Sequence, residues 1–329
     1  MADFPKETIQ ANEPAIMQTI VDATIAMQKK NYVPGTVARR DVHTKSHGTY
    51  DATFTVLTGI PSAQRVGLFA TSASYPATVR LSNGAPGISS DIRPNVRGMG
   101  LKVRNVPGVK LLTGDEDATC VDFLLANHPT SFHTVLEDYP GVQALMSVGN
   151  LKGVLKQYPV EGKLILHAVL KLVKNPCNIT YHSQTPYCLG DGAIKYQLVP
   201  NMSWWQRICS FFSFPNVFDG DYLRHAAEKT LRKRPVKFTL CVRLQTEQDS
   251  IENSSTVWHG ALVPVAELVI HPIGWDVPES AGEGLTFNPW RMLAAHRPLG
   301  WVNRVRENVY RADFAWRTAV NAALAKLKG

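Results

Sequence analysis

Near the end of the sequence, Asn303, Arg306, Tyr310, Asp313 and Arg317 recur at intervals of 3, 4, 3 and 4 residues. At about 100° per residue this places them on one stripe of an α-helix. Val302, Val305, Val309, Ala312, Trp316 and Val320 fill a neighbouring apolar stripe, so residues 301–317 are predicted to form one amphipathic helix. Arg306, one turn before Tyr310, can donate hydrogen bonds to the phenol oxygen, and an adjacent cation favours the charged form. A phenolate is a hard anionic ligand suited to ferric iron. A solvated, salt-bridged helix face presents the same stripe, so a second group of reactive residues is needed before chemistry is inferred.

That group lies at the other end of the chain. Arg40 and His43 precede residues 49–56, where Tyr50, Ala52, Phe54 and Val56 alternate with Thr49, Asp51, Thr53 and Thr55, the pattern of a half-buried strand. Further on, Val79-Arg-Leu-Ser82 is followed by Arg97-Gly-Met-Gly-Leu-Lys-Val103. Arg80 and Ser82 share one face of their strand, so Arg80 points either to solvent or to something anionic.

The order and spacing of these blocks resemble the haem catalases: Arg-x-x-His before a strand, a Val-Arg-Phe-Ser and Arg-Gly-Phe-Ala-Val-Lys pair, then Arg-x-x-x-Tyr with an arginine seven past the tyrosine. The resemblance runs from residue 38 to residue 317. It implies haem b, its iron held by Tyr310 with Arg306 alongside. It also implies propionates paired by Arg40, Arg80 and Arg317, with Ser82 and Phe132 completing the cofactor's surroundings. His43 would be the distal acid and base. Residues 121–132 occupy the place of the family's Asn-Asn-Thr-Pro and two phenylalanines; aligning Pro129 leaves Ala126 and Asn127 opposite the asparagine pair. Asn127 is then the expected distal amide, although Asn127-His128-Pro129 also reads as an ordinary turn.

The elements that would position these residues are short strands from Arg39 to about Val103, punctuated by Asn83-Gly84 and Pro86-Gly87. A helix over 13–30 is expected to cover a barrel opening, and amphipathic helices over 150–175, split at Pro159, to cover the core. Strands follow at 193–199, 238–244 and 262–270. The aromatic cluster of Trp204-Trp205 and Ile208–Phe214 could line a channel, but is expected to plug the core. His271 and His296 are expected to hydrogen-bond in loops. The predicted fold is therefore α+β, with residues 1–329 as a single domain: a closed antiparallel β-barrel with peripheral helices, enclosing haem between His43 and Tyr310.

Composition narrows the class. The 329 residues are 44% apolar with a net charge of +8, enough for a large core, and no long basic run supports nucleic-acid binding. Five cysteines without a C-x-x-C pair indicate neither a disulfide framework nor a zinc site. Neither a signal peptide nor a membrane span is recognised, so a cytoplasmic location is expected. The resemblance implies a small catalase-related peroxidase that decomposes hydrogen peroxide or organic hydroperoxides through a ferryl species. An organic reductant is a compatible partner, and so is a homo-oligomer. Fatty-acid hydroperoxide rearranging enzymes of the allene oxide synthase kind share that scaffold but typically carry threonine before the distal histidine. Here the residue is Val42, as in true catalases. A non-enzymatic haem-binding protein is the remaining alternative.

Overall fold

The computed structural model describes residues 5–274, 278 and 282–328. Nine strands form one antiparallel sheet: β1 (Ser46–Val56), β2 (Ser74–Asn83), β3 (Arg97–Arg104), β4 (Cys120–Ala126), β5 (Tyr181–His182), β6 (Tyr187–Leu189), β7 (Gly192–Pro200), β8 (Val236–Leu244) and β9 (Leu262–Ile270). Their order is β5-β4-β3-β2-β1-β9-β8-β7-β6, and β5 also pairs with β7, Tyr181 opposite Leu198. That last pairing closes eight of the strands into a barrel, with β6 folded back as a hairpin on β7. The predicted α+β barrel is the observed fold.

Alternation decides which side chains enter the barrel. Tyr50, Ala52, Phe54 and Val56 of β1 are buried at 2% exposure or less, as are Phe238, Leu240 and Val242 of β8. The interior is packed by rings: Phe123 meets Phe54 at 6.0 Å and Tyr196 at 5.0 Å, and Tyr187 meets Tyr196 at 5.0 Å. A barrel of about eight strands has an interior just wide enough for side chains to fill. Pro264, which has no N–H to give to the ladder, sits where the β8–β9 register shifts between Leu240 and Cys241.

The helices α1 (Glu13–Asn31), α2 (Tyr139–Ser147), α3 (Leu151–Gln157), α4 (Pro159–Val169), α5 (Trp204–Phe212), α6 (Tyr222–Leu231) and α7 (Trp301–Lys328) lie outside the barrel. Pro159 does separate α3 from α4, as expected. The expected role of α1 is corrected. It braces α7 instead of covering a barrel opening, with Ile20 packed among Leu136, Trp301, Val302 and Val305. Arg304 fixes the pair, its guanidinium 2.5 Å from Glu7, 2.6 Å from Glu13 and 3.2 Å from Glu252. The aromatic segment 204–214 is corrected too, because α5 has no buried residue and plugs nothing. Among the described residues no helix is long and apolar enough to cross a membrane.

Candidate functional site

Two segments converge on the outside of the β2–β3–β4 wall. Val79 and Leu81 of β2 are fully buried in the barrel core, so Arg80 and Ser82, on the alternate face, leave it. On β3, Gly98 and Gly100 replace side chains on that outer face. A Cβ at Gly98 would lie 2.3 Å from the His43 ring, and one at Gly100 3.0 Å from Phe287. The bare backbone thus makes room for His43 at Gly98 and for Phe287 at Gly100. His43 takes a left-handed backbone conformation, φ 59°, an uncommon state in which histidine is enriched. Its N–H donates to the Gly84 carbonyl at 3.1 Å, and its own carbonyl accepts from Arg80 at 2.9 Å.

The helix α7 closes the other side. Gly300, at φ 80°, has no room for a side chain against the Ile251 carbonyl 2.5 Å away, and the helix starts at the next residue. Asn303, fully buried, donates to the carbonyls of Pro186 and Leu299, both at 2.9 Å, and accepts from Thr185. This member of the polar stripe anchors the helix and does not face the cleft. Beyond it Arg306, Tyr310, Asp313 and Arg317 line a solvent-open cleft of ≈ 840 Å³, together with Arg40, Asp41, His43, Arg80 and Ser82. Because the barrel interior is filled, the expectation that the barrel encloses this site is corrected: the cleft lies between the outer wall and α7.

Asp313 joins the two sides. It accepts from Arg317 at 3.0 Å, from the Asp41 backbone N–H at 3.2 Å and from Gln28 of α1. Burial raises its pKa, and burial plus the neighbouring Asp313 charge pushes Asp41 up to about 7. His43 Nδ1 lies 3.0 Å from Ser82 Oγ. Burial, followed by Arg80, Arg306 and Arg40, pushes its imidazole down to about 3, so the ring is neutral. The Arg306 guanidinium lies 5.6 Å from the centre of the Tyr310 ring. Burial lowers its pKa, but the phenols of Tyr310 and Tyr187 beside it outweigh this and the net shift is upward.

Arg40 and Arg80 share one carboxylate, Glu283, at 3.3 and 3.1 Å. This does not balance the cations. Arg40 is lowered to about 9, first by burial and then by Arg80, and Arg80 Nε is buried with no acceptor. Four guanidiniums face the cleft against two lining carboxyls and the adjoining Glu283, and of these Asp41, raised to about 7, carries only part of a charge at neutral pH. A buried excess of cations is costly unless anions enter. Bidentate guanidinium geometry suits carboxylates, so these residues fit a porphyrin with two propionates and a phenol beside its metal.

Seven of the expected site residues are thus brought together: Arg40, His43, Arg80, Ser82, Arg306, Tyr310 and Arg317. Asn127 and Phe132 do not line the cleft. Asn127 is buried, accepting from the Arg97 N–H at 2.8 Å with its Nδ2 unpartnered, and Phe132 packs near His128 at 5.7 Å. The amide that does line the cleft is Gln184, whose Nε2 donates to the Thr130 carbonyl at 2.8 Å. Sequence reasoning missed it, as it missed Asp41 and Glu283. Gln184 stands in a left-handed conformation, φ 63°, for which the sequence Ser-Gln-Thr gives no signal.

No protein-family model matches the sequence, and no curated protein matches it. Among solved structures, a fungal catalase crystal structure superposes with a TM-score of 0.60 and 16% identity, covering 91% of this chain and 62% of that one. A bacterial catalase gives 0.59 and 13% over 95% and 62%. Catalase A from Saccharomyces cerevisiae gives 0.55 and 14% over 90% and 62%. The chain therefore spans somewhat under two thirds of the length of these catalases, and its α+β barrel with the cleft beneath α7 is a catalase-like fold.

Proposed function

We propose that the protein is a haem-dependent oxidoreductase acting on hydroperoxides, of the small catalase-related kind. The observation that carries this reading is the cleft itself, where a histidine, a tyrosine and an excess of buried guanidiniums meet from opposite ends of the chain. Tyr310 would hold the iron of haem b, and Arg40, Arg80 and Arg317 its propionates. When bound, the cofactor supplies the electrons that O–O cleavage requires.

The chain's own residues supply the proton management. With Nδ1 tied to Ser82 Oγ, Nε2 of the neutral His43 is the nitrogen left to accept the proton from the inner oxygen of a hydroperoxide and return it to the outer one. Burial, with Arg80, Arg306 and Arg40 around the ring, keeps it from holding that proton, so transfer onward is favoured. Gln184, the amide that lines the cleft, would orient the peroxide by a hydrogen bond; Asn127, expected in that role, would have to move into the cleft to do so. Val42, which lines the cleft, has no hydroxyl to restrain the imidazole, and this favours peroxide decomposition over rearrangement.

Titrating the purified chain with haem, followed by the visible spectrum, tests the cofactor. Tyr310→Phe should bind poorly or shift to the spectrum of another ligand, whereas an unchanged spectrum and haem content would overturn the assignment. Turnover of hydrogen peroxide, a bulky alkyl hydroperoxide and a fatty-acid hydroperoxide, compared side by side, then separates decomposition from rearrangement. No turnover of any of them by the haem-loaded protein leaves a haem-binding protein and sinks the enzyme.

A further inference from the structure

The helix α5 is built the wrong way round for a soluble protein. Trp204, Ile208, Phe211 and Phe212 fall at helical spacing on one face, the arrangement that normally turns toward a core. Here that face turns outward: Trp204, Trp205, Phe211 and Phe212 are 64–73% exposed, and Phe214 and Phe218 just beyond are 88% and 95% exposed. Fraying does not explain this. Ser203 and Gln206 form a complete capping box, side chain to backbone in both directions, which stabilises the helix without any help from burial.

The surroundings extend the face. Lys174 donates to the Phe211 carbonyl at 2.6 Å and lies over the rings of Phe211 and Phe214 at 5.8 and 5.4 Å. This holds residues 170–174 against α5, and with them the exposed side chains of Leu170 and Leu172. Soluble monomers seldom expose contiguous apolar patches above a few hundred Å² without an interaction to serve.

Charge identifies the partner. Residues 162–218 contain one carboxylate, Asp191, against Lys163, Lys171, Lys174, Lys195 and Arg207. Of these, Lys171, Lys174 and Arg207 lie in or beside the face. Aromatic side chains with lysine and arginine at their margin match an anionic lipid surface, where rings settle at headgroup depth and cations meet phosphates. A second copy of the chain fits less well, because a two-fold contact would set Lys171, Lys174 and Arg207 against themselves, and the carboxylates just past Phe218 are already paired, Asp219 with His225 and Asp221 with Lys45. We infer that α5 and the adjoining segment 170–174 form a membrane-docking face that seats the protein on anionic lipid. This inference does not depend on haem.

The test uses the full-length protein and vesicles of phosphatidylcholine alone or with phosphatidylserine, in a co-sedimentation assay at low and high salt. Binding should require phosphatidylserine, weaken with salt, and blue-shift the tryptophan fluorescence. Trp205→Ser with Phe212→Ser should lower the partition coefficient by about tenfold or more. Both side chains are exposed, so the melting temperature should be unchanged. Lack of binding to either vesicle, or binding indifferent to these substitutions, overturns the inference. So does a concentration-dependent dimer that the same substitutions dissociate, which would make the face an interface between copies of the chain.

Discussion

His43 owes its neutrality to burial first and to the arginines around it second, and this sets an expectation for pH. A lowered pKa, near 3, means that the free base is present throughout the physiological range. Peroxide turnover should therefore not fall on His43's account between pH 8 and pH 5; an inflection near pH 6.5 that disappears in a His43 variant would contradict the assigned environment. His43→Ala, compared at matched haem occupancy, should lose about 10² to 10⁴ in rate, the usual worth of general acid–base assistance. A fully active variant would mean that the histidine is not the distal base. Asn127→Ala and Gln184→Ala should each cost less, and the larger loss identifies the working amide. At this scale the sequence was legible wherever spacing is local: helical periodicity puts Arg306, Tyr310, Asp313 and Arg317 on one face, although only Arg40 and His43 at the other end of the chain marked that face as a site. Glu283 and Gln184 could not be read this way. Glu283 matters only because β2 and the segment 40–43 bring Arg80 and Arg40 to it across more than two hundred residues of sequence.

Among the elements, β3 does its work by what it lacks. Gly98→Ala would put a methyl group 2.3 Å from the His43 ring and 3.1 Å from Ser82 Oγ, so the imidazole must move. The expected result is a folded, haem-competent protein with turnover lowered toward that of His43→Ala. Retention of full activity would show that His43 tolerates another pose. On β2, Arg80→Met leaves the barrel strand intact but removes a guanidinium from the cleft, so haem should dissociate faster in a transfer assay to an acceptor protein. An unchanged off-rate would remove Arg80 from the propionate site. Strand periodicity correctly gave the two faces of β1 and β2, because alternation is fixed by the pleat. It could not say which face of the barrel wall would carry the site, nor that α5 would turn its aromatic side outward. Periodicity identifies an apolar face, not what that face meets.

In the whole molecule, burial has trapped several histidines in neutral form. His47, His133, His182 and His296 are each lowered to about 4, chiefly by desolvation, and His43 to about 3. Unfolding frees them to protonate near 6.5, so their contribution to stability is whole above that pH and is lost as pH falls toward 4. Each can cost up to about 1.4 kcal/mol per pH unit over that window. Asp41, raised to about 7, works the other way, losing stability as pH rises from about 4 to 7, and so do Asp138, Glu307 and Asp313, which burial also raises, but of these carboxyls only Asp41 is shifted as far as the five histidines. The urea midpoint of the haem-free chain should fall steeply between pH 6.5 and 4.5, and a flat profile would show that these imidazoles are not desolvated. The seam between β1 and β9 has a different kind of consequence, one that concerns the order in which the chain is made. Val56 is paired with Ala266 and Ala52 with Ile270, so the free edge of β1 waits for more than two hundred further residues before its partner exists. Until then the nascent chain presents an open, apolar-backed strand edge of the kind that recruits other chains. The finished barrel has no such edge there, so the hazard of aggregation belongs to the half-synthesised molecule, and chaperone dependence should be greatest before β9 emerges.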